Sequence, residues 1–142
     1  MEQNYNNHSK YVIGYHLVLS LLILLGTIGA FVNLFNSLDS NNLYSASLIL
    51  ILFVAAILIF WYLRQFALKA QDRAIKAEEN LRYFSLTGKL MPKQLRMSQI
   101  IALRFASDEE LLKLVEEALA KKLNAKEIKI SIKNWKADDY RV

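Results

Sequence analysis

The sequence has no cysteine, a single proline and four glycines in 142 residues, and almost no positive charge in its N-terminal half. The first absence excludes intrachain disulfides and thiolate metal sites. The second leaves long stretches with nothing to break a helix. From Ala46 to Phe84 there is neither Gly nor Pro. The third is uneven: of 18 Lys and Arg residues only Lys10 precedes Arg64, and the stretch from Arg64 to Arg141 holds the other 17 against 11 acids, a formal +6. Also missing are a Gly-rich phosphate loop, a metal-ligand cluster and a nucleophile motif, so the sequence points to no enzyme and to no cofactor.

What fills the first half is apolar. Residues 12–35 and 43–63 are two runs without a charged residue, each close to the ~20 residues needed to cross hydrocarbon as a helix. The first follows a polar segment, residues 1–11. A secretory signal is the competing reading of that run, but no small-x-small cleavage site follows it and it is too long for a signal h-region. The second run continues without interruption into residues 64–86, predicting one helix that crosses a bilayer and emerges into water. From Ala46 to Phe84 it would measure roughly 58 Å at ~1.5 Å per residue. Residues 87–142 are left for a small helical domain. The predicted fold class is therefore all-α: a transmembrane hairpin whose second helix extends into the cytoplasm and packs with a bundle of short C-terminal helices.

Residues 36–42 form a polar loop with one acid and no base, short enough to make the spans antiparallel neighbours. Lys10 flanks one span, and Arg64, Lys69 and Arg73 flank the other. Because basic residues stay on the cytoplasmic side, both termini are expected there, in the inner membrane of a cell, with the loop outside. Lipid gives no hydrophobic drive for helix association, so small residues must admit close approach. Gly26, Gly29 and Ala30 on the first span, and Ala55 and Ala56 with Ser47 on the second, are the candidates. Tyr11, Tyr15, Trp61 and Tyr62 suit an interfacial belt on one side and Tyr44 on the other. His8 and His16, eight residues apart, lack the spacing and partners of a haem or metal pair and fit the same anchoring role.

Beyond the membrane, Leu63, Ala67, Ala70, Ala74, Ala77, Leu81 and Phe84 alternate in steps of four and three, a narrow heptad seam. Either the chain's own C-terminal helices or a second copy should pack on it, and the former is the expectation. Asp72 with Lys76 and Glu78 with Arg82 stand in favourable i,i+4 order. Thr87-Gly88 ends the helix, Pro92 suits the first turn of a short helix through Met97, and Ser98 can cap another to Phe105. Ser107-Asp-Glu-Glu110 reads as a capping box for Leu111 to Leu123, and Asn124-Ala-Lys-Glu127 as a second one. Ile128 to Lys133 alternates with period two, yet Ile128, Ile132 and Trp135 also share a helical face. With no strand partner in sight, helix is expected.

Several blocks together, Gln3-Asn-Tyr-x-Asn-His8 with Tyr15-His16, Lys69-x-Gln-Asp-Arg73, Ala102-Leu-Arg-Phe-Ala-Ser-Asp-Glu-Glu-Leu111, and Ile132-Lys-x-Trp-x-Ala-Asp138 with Arg141-Val142, resemble a family of small two-span bacterial inner-membrane proteins with a basic helical C-terminal domain. Its members tend to carry a proline before the Tyr-His pair, where Ile13-Gly14 stands here. The resemblance implies the architecture and no catalytic residues. Among functions, the acids Asp108-Glu109-Glu110 and Asp138-Asp139 are read as helix-end charges. Lys121, Lys122, Lys126, Lys129, Lys133 and Lys136 form a basic surface suited to anionic lipid headgroups. A membrane-tethered nucleic-acid-binding helical domain is the alternative for that surface and is disfavoured. A channel or transporter would need a homo-oligomer, because two spans without an ionisable residue at mid-depth enclose no path. An adaptor or accessory subunit, partnered by the bilayer and by another membrane protein or a second copy, is the expected role.

Overall fold

The computed structural model describes residues 4–5 and 11–138. It is all-helical, apart from one isolated bridge, and falls into two compact units: Tyr11–Ala67, and Leu68 onward together with residues 4–5.

The first unit begins with a π-helical turn, Gly14–Leu19, that runs directly into α1, Ser20–Asn36. Residues 37–42 form two overlapping turns, closed by Ser40 N–H donating to Ser37 O and Leu43 N–H to Ser40 O, and α2 then spans Leu43–Thr87. Its first half lies antiparallel to α1 within this unit. Tyr15 stacks on Phe60 with ring centroids 4.5 Å apart, and its hydroxyl donates to the Phe60 carbonyl. At Gly26 a Cβ would stand 2.0 Å from Phe53 Cε1, so only glycine lets that ring lie against the backbone. Ala30 and Ala46 are buried at 3% and 1% exposure, and Ala55 and Ala56 are half-buried. Gly29 is exposed with nothing near the position of its missing Cβ, so it takes no part in the packing expected of it.

Three hydroxyls of this unit are satisfied on their own helices: Ser20 on His16 O at 2.6 Å, Thr27 on Ile23 O and Ser47 on Tyr44 O at 2.7 Å each. Such back-bonding lets a hydroxyl sit where water is absent. The outer faces are apolar. Leu22, Leu52 and Ile59 are each more than 60% exposed, and only 6% of each helix's most apolar window is buried. Gly14–Asn36 and Leu43–Thr87 are thus two helices long and apolar enough to cross a membrane, without the burial of core helices.

The second unit is built from the end of α2, with α3 (Met97–Leu103), α4 (Asp108–Ala120) and α5 (Ala125–Ser131). Leu103, Phe105, Leu111 and Ile128 are fully buried at its centre, ringed by Ile100, Val115, Ala118 and Ile132, with Tyr83 of α2 and Trp135 packed against them. Gly88, at φ 70°, terminates α2 by donating its N–H to Phe84 O at 2.7 Å. Left-handed backbone is open to glycine without the Cβ penalty. Among the described residues the other left-handed one is Lys122 at φ 53°, where Leu123 N–H reaches back to Ala118 O and closes α4.

Several local expectations are corrected. Pro92 lies in a turn, with Leu95 N–H donating to Pro92 O, and not in a helix. The next helix starts at Met97 behind Arg96, not behind Ser98. Its polar anchor is Gln99, 3% exposed, whose Oε1 accepts from Arg96 N–H and whose Nε2 donates to Leu123 O at 2.7 Å. Ser107 stands before α4 but makes no side-chain cap bond. The Asn124 and Glu127 box does form, with Asn124 Oδ1 accepting from Lys126 and Glu127 N–H and Glu127 Oε2 accepting from Asn124 N–H. Finally, α5 stops at Ser131, because Ile132 turns extended at ψ 125°. Trp135 is therefore outside the helix, in an antiparallel bridge with Ala106.

Candidate functional site

The heptad seam is not where the C-terminal helices pack. Within the second unit Ala70, Ala74, Ala77, Leu81 and Phe84 are all exposed, as are Leu63 and Ala67 in the first. The face of α2 that joins the domain is marked instead by Ile75, Glu79, Arg82 and Tyr83. Alanine truncation makes a smooth stripe, but this domain is held through long side chains that reach into it.

Arg82 is the centre of that face. Its side chain is only 11% exposed. Nε donates to Asp108 Oδ1 at 2.6 Å, Nη1 to Glu79 Oε2 at 3.1 Å, and Nη2 to Ala106 O at 2.6 Å. One guanidinium therefore joins α2 to the first residue of α4 and to the link before it, using the planar fork that lysine lacks. The i,i+4 partner Glu78, expected for Arg82, is displaced by Glu79 one residue further on. Asp72 and Lys76 form no ion pair either, among the described residues.

Around this tether the charges continue. Arg104 pairs with Asp138 at 2.9 Å, and its guanidinium lies 4.7 Å from the Phe105 ring centroid. Glu110 Oε2 accepts from the backbone N–H groups of Lys133 and Asn134, at 3.0 and 3.3 Å. Its carboxylate thus holds the returning chain in place of capping Ser107. A cavity of about 230 Å³ opens beside α2, lined by Gln71, Ala74, Glu78 and Glu79 on one side and Arg104, Lys136 and Asp138 on the other. Of the acids expected at helix ends, Asp108 and Asp138 are thus tied in ion pairs, and Asp139 lies outside the described residues.

Burial pushes the Glu79 carboxyl above the ordinary value of 4.5, against the opposing pull of Arg82 and the more distant Lys136 and Arg104. A carboxyl raised on folding contributes stability that is full below pH 4.5 and is lost as pH rises through the raised value. Other carboxylates act in the opposite sense, so the comparison must be made within a pair. Wild type minus Glu79→Gln, measured as the thermal midpoint of the C-terminal unit between pH 4 and 8, should fall as pH rises above 4.5. A flat difference would mean that the carboxyl is solvated.

The basic surface is partly consumed by packing. Lys121, Lys122, Lys126, Lys133 and Lys136 are exposed, whereas Lys129 is half-buried with its Nζ 5.4 Å from the Phe105 ring centroid. His16 sits in an aromatic group, stacked on Tyr11 at 4.6 Å and edge-on to Tyr15 at 5.3 Å, with Nδ1 at 3.0 Å from Val12 O. Arg64 lies over the Tyr15 ring, 5.9 Å from its centroid. His8 and Lys10 fall outside the described residues.

The fold and the charged face together define an all-helical protein with two apolar helices and a small domain locked onto the end of the second. The whole chain, residues 1–142, matches the family of unknown function DUF6526, and the chain belongs to that family. No curated protein and no solved structure matches it.

Proposed function

We propose that this is a two-span inner-membrane protein, with both termini cytoplasmic, that acts as an anchored adaptor or accessory subunit through protein and anionic-lipid contacts and catalyses no reaction. The observation that carries the membrane part is the exposure of both apolar helices, whose most hydrophobic windows are 6% buried. Outward apolar faces of that extent need lipid or protein cover. The grouping of residues 4–5 with the unit from Leu68 onward supports placing both ends on one side. Ser37 to Asn42, without a base, then lies on the other.

The adaptor role is supported by how the charges are used. The buried ones, Arg82, Glu79 and Arg104, hold the domain together, while the exposed lysines suit headgroups that each base favours by on the order of 1 kcal/mol. Lys129, half-buried with its Nζ over the Phe105 ring, adds less to the basic surface than its neighbours. Reporter fusions after Asp39 and after Val142 should report opposite sides of the membrane, and same-side signals would end the two-span reading. Purification from native membranes in mild detergent, with identification of what accompanies the chain, tests the adaptor role. Recovery of the chain free of any stoichiometric partner or second copy would count against it.

A further inference from the structure

We propose that the exposed seam of α2 is the contact between two copies of this chain, packed as a parallel, in-register coiled coil. The inference rests on the two-span reading for its direction. α2 is one unbroken helix from Leu43 to Thr87. Two copies with the same topology in one bilayer must therefore send it out on the same side, parallel and at the same depth.

Within the second unit the seam from Ala70 to Phe84 is apolar and exposed, with Ala74 at the rim of the cavity that Arg104, Lys136 and Asp138 line. Leu63, Leu81 and Phe84 are 58%, 69% and 48% exposed. Ile75 and Glu79, which mark the packed face, lie roughly 150° around the helix from the seam centre at ~3.6 residues per turn. The side chains that hold the domain on α2 thus point away from the seam centre. Alanine at four of the seam positions allows the close approach, ~8 Å between axes, that small residues permit.

What identifies the occupant as a second copy is self-complementary charge. With Ala67, Ala74 and Leu81 at the a positions and Ala70, Ala77 and Phe84 at the d positions, Arg73 falls at g and Glu78 at e of the next step. In a parallel pair, g of one helix faces e five residues on in the other. The twofold axis therefore makes this Arg-Glu contact twice. The neighbouring g-to-e pairs, Phe66 with Gln71 and Asn80 with Ser85, bring no like charges together. Arg73 and Glu78 are both exposed, and neither makes an ion pair within the chain, among the described residues. Both are thus available to a partner.

Because the chain has no cysteine, single cysteines report the contact directly. The full-length variants Ala70→Cys, Ala74→Cys, Ala77→Cys and Leu81→Cys, oxidised in native membranes, should give disulfide dimers on a non-reducing gel. Lys69→Cys and Lys76→Cys, on the outer faces, should give at least several-fold less. Disulfides at all four seam positions require parallel strands in register, since an antiparallel pair brings like positions together only at its midpoint. Adding Arg73→Glu to Ala77→Cys should lower the dimer yield several-fold, and adding Glu78→Arg as well should restore it. Equal yields at seam and outer positions, or none at the seam, overturn the proposal. So does a double charge reversal that fails to restore the yield. Alkaline extraction of the same samples separates the two readings. Membrane-pellet protein without seam disulfides leaves the spans standing and the dimer lost, whereas extracted protein with them reverses that outcome.

Discussion

Replacing Arg82 by alanine will destabilise the C-terminal unit by about 3–5 kcal/mol, the loss typical of breaking a buried ion pair by removing one partner. The argument is geometric. The guanidinium makes three hydrogen bonds, to Glu79, Asp108 and Ala106 O, with a side chain 11% exposed. Glu79, itself 7% exposed, would be left without its nearest counter-charge, and Ala106 O without its donor. Since a domain of this size has about 5–15 kcal/mol in all, the unit should become protease-sensitive throughout α3 to α5 while both apolar helices stay associated with membranes. Glu79→Gln alone should be far milder, because it removes a charge that burial disfavours and keeps an acceptor for Arg82. Limited proteolysis and urea unfolding of the full chain in detergent check both. A loss under ~1 kcal/mol for Arg82→Ala would mean that water replaces the tether.

Trp135→Ala should cost about 3 kcal/mol, the lower end of the range for aromatic truncation in a core, because the ring is only half-buried. It lies 5.1 Å from Phe105 by ring centroids, and its backbone neighbours tie the same segment: Lys136 N–H donates to Phe105 O at 2.8 Å and Ser107 N–H to Asn134 O at 3.1 Å. Losing the ring frees one side of Phe105, the largest fully buried side chain. Trp135→Phe should recover roughly half of the loss, as an aromatic body without the indole. If Trp135→Ala keeps wild-type protease protection and instead sheds a co-purifying protein, the ring belongs to a partner interface.

Where one physical signal dominated, the sequence was easy to read. The uncharged runs, the Gly88 stop and the Asn124 box each depend on a single local rule, and each appears at the expected place. Composition misled where two rules competed. The alanine heptad was the strongest periodic feature of residues 64–86, so it was expected to carry the domain. The domain instead uses Glu79 and Arg82, whose pairing with Asp108 spans 26 positions and leaves no periodic trace. Glu110 was expected to turn back on Ser107, as its spacing allows, but it is taken by the backbone of Lys133 and Asn134. The segment after Ser131 shows why Ile128 to Lys133 was ambiguous. It begins as helix and ends extended, and the single bridge from Trp135 to Ala106 is too short to set a period-two pattern.

The bridge at Trp135 has a consequence for biosynthesis. Arg82 belongs to a helix whose apolar half leaves the ribosome early, yet the segment that closes over Phe105 is made more than 50 residues later. At ~5–20 residues per second, translation from residue 82 to residue 136 occupies roughly 3–11 s. For the last 25 of those residues, roughly 1–5 s, Leu103, Phe105 and Leu111 have been made and have no lid. The core of the nascent domain therefore stays open until its last segment is made. Its window of vulnerability to proteases closes only when Trp135 arrives.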